Sequence, residues 1–257
     1  MVREVWSYRE LVVAYTRAQY RLRYRQSFIG LLWAVVPPLA TLGVAVLVFH
    51  GVANIQARDV PYPILALSAV APWSFFASAL MFGVPSVATA QPLVTKMAFP
   101  RAVLPLSAIG ISLLDFAVVC AMYVVFAIAY RHGLAATAAW FPILLVIEIV
   151  LVTGIVLLGS ALNTFARDVR LIVPLAVQLW LFVTPVMYPL GSVPPRLRGL
   201  YLLNPMSGLV ESFRRVLAFG QPPTLGLLVP AVVSAAVAFA IGFWYFGATE
   251  KRFADVI

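Results

Sequence analysis

The chain has 257 residues, of which 63% are hydrophobic and only 11% charged, against about 45–50% and about 25% in soluble domains; a water-soluble globule is excluded. Eighteen Lys+Arg against nine Asp+Glu leave a net charge of +9, which in so apolar a chain reads as topology-setting charge beside an anionic leaflet and not as a nucleic-acid footprint. The single cysteine, Cys120, lies inside an apolar run, so neither an intrachain disulfide nor a cysteine-based metal site can be assembled from this chain.

The N-terminal stretch carries six arginines ahead of the first long apolar run and shows no small-residue cleavage site, which argues against a removable signal peptide. It places Leu11, Tyr15, Ala18 and Leu22 on one helical face, with Arg9, Arg17, Arg21 and Arg23 around the rest. That pattern predicts an amphipathic helix lying along the membrane surface. Arg17, Arg21, Arg23 and Arg25 become candidates for holding a lipid phosphate or for anchoring to anionic lipid. Six apolar runs follow: Phe28–Phe49, Pro61–Val84, Ala102–Tyr130, Trp140–Phe165, Leu171–Pro189 and Thr224–Gly247. Each approaches or exceeds the roughly 20 residues a membrane-crossing helix needs, and none shows the alternation of a barrel strand. The expected fold is therefore all-α membrane with six transmembrane helices.

Charge sets the expected orientation. With the N-terminus inside, twelve of the eighteen cations fall on the cytoplasmic side, in the leading segment, the second and fourth connectors and the C-terminus. The positive-inside rule then puts both termini in the cytoplasm. The second of these inner features, the connector carrying Lys96, Met97, Phe99 and Arg101, mixes cations with apolar residues that a solvated loop would not need. It reads as an anchoring helix for a cytoplasmic partner. Leu190–Pro223 is too apolar for a loop, carries Glu211, Arg214 and Arg215, and is broken at Asn204-Pro205. Two short helices dipping in from the outer face fit it.

Within the runs, Pro37-Pro38 and Pro72 predict kinks. Asp115, near the middle of the third run, and Glu148, in the outer part of the fourth, are each costly in hydrocarbon unless paired, protonated or facing a cavity. A proton relay needs a second titratable group, and His50 and His132 fall at span ends. A structural bond from Asp115 to a hydroxyl or indole of a neighbouring helix is the favoured reading. Inner aromatics such as Trp33, Trp180, Phe182 and Tyr188 suit either packing or a lining on which sugar rings slide. Gly30 to Ala34 and Ala236 to Ala240 permit close helix approach. The only lysines are Lys96 and Lys251, neither at the end of a glycine-rich turn, so no P-loop exists and any ATP-driven motor must be another polypeptide. No repeat, low-complexity tract or linker divides the chain, and Met1–Ile257 reads as one domain.

Four stretches carry a resemblance: YRQSFIGLLWAVVPPL at Tyr24–Leu39, MAFPRAVLPLS at Met97–Ser107, ARDVRLIVPLAVQLWLFVTPVMYPL at Ala166–Leu190 and LLNPMSGLVESFRRVL at Leu202–Leu217. Together they resemble the membrane subunits of type-2 ABC exporters, in the polysaccharide branch that handles O-antigen, capsule and teichoic acid. The resemblance implies a homodimer of six-span inner-membrane permeases bound to two ABC ATPase subunits, with ATP and Mg held by those partners and no cofactor here. It implies an interfacial helix at about Trp6–Gln26 and an outer re-entrant helix pair at Leu190–Pro223. It makes Lys96, Met97, Phe99 and Arg101, with Arg167, Asp168 and Arg170 of the shorter inner connector, the ATPase-coupling residues. It places Trp33, Gln178, Trp180, Phe182 and Tyr188 on the polymer path, and a lipid-linked polysaccharide as the substrate. A permease for a small amphiphile is the nearest alternative. A transferase embedded in the membrane needs convergent acids or histidines, whereas the nine acids here are scattered. A purely structural membrane partner leaves the Lys96–Arg101 and Leu190–Pro223 segments unexplained.

Overall fold

The computed structural model describes residues 6–25, 33–48, 60–97 and 99–253, and among these the regular elements are helical. In chain order they are α1 (Arg9–Arg25), α2 (Val36–Ala45), α3 (Tyr62–Gly83), α4 (Ser86–Thr89), α5 (Gln91–Lys96), α6 (Val103–Ala129), α7 (Phe141–Phe165), α8 (Val169–Val183), α9 (Pro195–Leu202), α10 (Pro205–Leu217) and α11 (Leu225–Thr249). Four segments are long and apolar enough to cross a membrane: Tyr62–Gly83, Val103–Ala129, Ala136–Phe165 and Leu225–Arg252. Two more apolar helices, Val36–Val48 and Val169–Val183, are shorter. The start of the expected first run, residues 28–32, lies outside the described residues, as does His50.

Proline explains where several helices begin and one ends. Pro37-Pro38 sits in the first turn of α2, where a missing N–H is no loss, so the pair starts this helix instead of kinking it. Pro72 is carried inside α3. The fifth apolar run stops being helical at Val183: Thr184 is extended because Pro185 follows it, and the chain to Pro189 runs irregularly. At about 1.5 Å per residue, the 15 residues of α8 rise only about 22 Å.

Helix α3 is the centre of the bundle. Ile64, Leu65, Leu67, Phe75 and Phe76 are fully or almost fully buried, and α6, α7, α10, α2 and α8 pack around it. The tightest crossing is between α7 and α11, where a side chain on Gly242 would strike the carbonyl of Gly154 and one on Gly154 would strike the backbone of Ala238. Neither glycine was singled out from sequence, where the small-residue signal pointed to Ala236 and Ala240. At one end of the bundle lie α4, α5, the turn joining α7 to α8, and the end of α11, sealed by a cluster that includes Val87, Val94, Leu104, Phe246 and Phe253. This is the basic end. The opposite end carries the 3-10 turn Ala136–Trp140 and the pair α9–α10, which Asn204 separates by accepting a hydrogen bond from the Met206 amide as the cap of α10.

Candidate functional site

Helix α1 runs beside α6, starting from the basic end. The Ser107 hydroxyl lies 3.3 Å from the Val12 carbonyl, and Gly110 leaves room for Thr16, whose hydroxyl would be 2.9 Å from any added Cβ. Farther along, Arg23 Nη1 donates to Asp115 Oδ2 at 3.0 Å. Ser107 and Asp115 are eight residues apart, about 12 Å along a helix axis, so α1 follows α6 well into that span. Thr16 and Arg23 face α6, Leu11 is exposed, and Leu22, also exposed, edges the cavity between the two helices. Asp115 thus has a guanidinium among its partners. Arg23 also lies 4.1 Å over the Phe82 ring, a cation–π contact that holds the charge on the protein. Burial, together with the nearby Asp115 carboxylate, pushes the Tyr20 hydroxyl above its ordinary pKa.

Two cavities flank the Arg23–Asp115 pair. One of about 460 Å³ is lined by Tyr15, Gln19, Arg23, Phe82, Leu104 and Ile111. The other, about 400 Å³, is lined by Trp33, Thr41, Trp73, Ser74, Phe82 and Asp115 between α2, α3 and α6. Arg23 and Phe82 belong to both and stand between them. Arg17 and Arg21 point outward and are exposed, and the Arg25 side chain lies outside the described residues.

At the basic end, Lys96 closes α5 and is exposed, and Met97 is 57% exposed. Phe99 turns back and packs against the Phe246–Phe253 cluster, and Arg101 donates to the Phe99 carbonyl. Of the two apolar residues in this connector, Met97 is the one presented outward. Arg167 and Arg170, exposed beside Asp168, face α4 and α5 across a small polar cavity.

The residues expected along a polymer path divide into groups. Gln178 and Phe182 are exposed on α8, Phe182 at 70%. Trp33 lines the cavity at Asp115. Trp180 turns inward: its indole donates to Asn204 Oδ1 at 2.9 Å and meets Phe76 edge-on with ring centroids 5.0 Å apart. The Tyr188 hydroxyl donates to the Phe182 carbonyl at 3.2 Å and lies 3.1 Å from the Tyr201 hydroxyl. Trp180 and Tyr188 therefore tie the end of α8 to the α9–α10 pair.

That pair is held by a buried charge. Arg214 is 0% exposed, and its guanidinium bonds the Glu211 carboxylate at 2.5 Å and the carbonyls of Pro185 and Val186 at 2.7 and 2.9 Å. Glu211 also accepts from the Leu190 amide. The irregular backbone after Pro185 is thereby met by the Arg214–Glu211 pair, and the Tyr62 hydroxyl donates to the Met187 carbonyl at 2.8 Å. At the far end of α10, Tyr123 and His132 meet the Leu217 carbonyl and Thr137 donates to that of Val216, taking up carbonyls a helix end leaves open. The sequence places Arg214 in a segment too apolar for a loop but gives it no partner; its three-residue spacing from Glu211 is the available signal.

Glu148 is 0% exposed, and neither carboxylate oxygen has a hydrogen-bond partner among the described residues. No three His, Cys, Asp or Glu side chains among the described residues converge as a metal site requires.

The chain is 29% identical to the O-antigen export system permease protein RfbA of Myxococcus xanthus, over 100% of this chain and 99% of that one. It is 26% identical to the protein of the same name from Klebsiella pneumoniae, over 96% and 95% of the two chains. It is 24% identical to the polysialic acid transport protein KpsM of Escherichia coli, over 78% of each. Residues 10–218 match the family described as ABC-2 type transporter. With that match running from the start of α1 past the end of α10, through every helix described above except α11, this polypeptide belongs to the ABC-2 type transporter family.

Proposed function

We propose that this chain is the membrane permease of an ATP-driven exporter that moves a lipid-linked polysaccharide of the O-antigen kind out of the cytoplasm. The observation carrying this reading is the end-to-end similarity to permeases named for O-antigen export, along a chain that has no P-loop of its own. Six spans, with α2 and α8 completing the four longer ones, put the basic end and both termini in the cytoplasm. Two copies form the conduit, and two ATPase subunits bound at the Lys96, Met97 and Arg101 connector drive it.

The work is mechanical. ATP-driven closure of the motor subunits pushes on α5 and tilts the spans attached to it, opening a lateral route between α2 and α8. Arg23 is committed to Asp115, which leaves Arg17, Arg21 and Arg25 as the cations that meet a lipid phosphate. Trp33, Gln178 and Phe182 face the glycan, while Trp180 and Tyr188 fix the end of α8. Weak, repeated contact with exposed rings suits a moving polymer better than a deep polar pocket does.

The test is co-expression with the cognate ATPase in cells that make the glycan but lack their own permease. Surface polysaccharide should appear only when both chains are present. Recovery of the permease with no nucleotide-binding chain attached, or glycan retained inside with both chains present, overturns the reading.

A further inference from the structure

A polar cavity of about 200 Å³ opens between the short helices α4–α5 and the turn from α7 to α8. Thr89 and Gln91 stand on one wall, with Asn163, Thr164, Arg167 and Arg170 on the other. Asn163 is 1% exposed, and neither its Nδ2 nor its Oδ1 has a hydrogen-bond partner among the described residues. A buried amide unpaired at both atoms is costly and rare. The two hydroxyls have already given their protons away, Thr164 to the Ser160 carbonyl and Thr89 to the carbonyls of Pro85 and Ser86. The donors that face the cavity are the Asn163 and Gln91 amides and the guanidinium groups of Arg167 and Arg170, neither guanidinium having an ion-pair partner among the described residues. A donor set of this kind is complementary to a group that only accepts, and planar guanidinium groups match a carboxylate.

We infer that this cavity receives the carboxylate of one acidic side chain of the ATPase subunit. The inference rests on the exporter reading and adds to it the chemistry of a contact. The volume suits a single side chain. The walls come from the two connectors of the basic end, and Leu162 and Phe165, the apolar residues exposed on the same turn as Asn163, are not part of the lining. A chain with nine more cations than anions supplies half of the charge complementarity, and an acidic partner supplies the rest. Once seated, the carboxylate accepts from Asn163 Nδ2 and draws in a guanidinium that can donate to Oδ1. One partner residue then bridges α4–α5 to the α7–α8 turn, so that both pairs of spans feel the same push.

The experiment uses the complex of permease and ATPase in lipid nanodiscs, with ATPase affinity and ATP hydrolysis as readouts, neither of which needs a glycan. Two variants are compared with the parent chain: the double reversal R167E/R170E and the amide deletion N163L. Each should weaken ATPase binding at least tenfold, and reversing one acidic residue of the ATPase to Arg should restore the R167E/R170E complex. Parent-like affinity in both variants overturns the inference, as does a scan of the ATPase acids that yields no rescue. An effect present in phosphatidylglycerol nanodiscs and absent in pure phosphatidylcholine also overturns it, assigning the cavity to a lipid headgroup instead. If the parent chain captures no ATPase in any lipid, the exporter reading is what fails, and this contact falls with it.

Discussion

Arg23 and Asp115 each stood out in the sequence, one for charge at the surface and the other for a carboxylate inside an apolar run, but nothing in the sequence paired residues 92 positions apart. The structure joins them at 3.0 Å, with the two side chains 33% and 13% exposed. Partial exposure screens the pair, so D115N should cost about 1–3 kcal/mol in place of the larger loss of a fully buried pair. The exchange R23D/D115R should recover most of it. Thermal unfolding in detergent, together with protease cleavage within α1, measures both, and equal cleavage in parent and D115N would sever α1 from this pair. Asn163 shows the opposite limit of legibility. An asparagine at the end of an apolar run has no distinguishing neighbour in the sequence, and only its burial without partners marks it.

The elements themselves were largely readable, because apolar runs and proline positions act locally. The break at Asn204-Pro205 and the two short helices around it follow from the chain alone. What holds them does not. Arg214 serves three acceptors at once with its planar fork, a task an ammonium cannot match. R214A should therefore lower stability by about 3–5 kcal/mol, and R214K should recover less than half of that, as read from the unfolding midpoint of the purified permease. A lysine variant as stable as the parent would mean that charge alone suffices. For the α7–α11 crossing, an added side chain meets backbone that cannot turn away, so G242A should cost about 1–3 kcal/mol and G242L should abolish folded yield. Fluorescence-detected size exclusion separates these outcomes, and a monodisperse G242L peak would contradict the packing.

For the whole molecule, composition decided the solvent and charge asymmetry decided the expected orientation. The number of crossings is harder to read, because α8 is short and α2 adjoins residues outside the described part. Accessibility labelling addresses this directly. In a C120A background, a cysteine at Arg252 should be protected from a membrane-impermeant thiol reagent in intact cells, while one at Leu197 should react. Reaction at both would place the two ends of the bundle on the same side and undo the topology.

The contact of Gly154 with Gly242 bears on how such a bundle can move. Two backbones in register with no side chains between them leave no slack for sliding, so α7 and α11 travel as one beam. Any opening has to be made by elements that move against that beam, and α8, pinned at its Val183 end by Trp180, Tyr188 and Arg214, has to carry the α9–α10 pair with it.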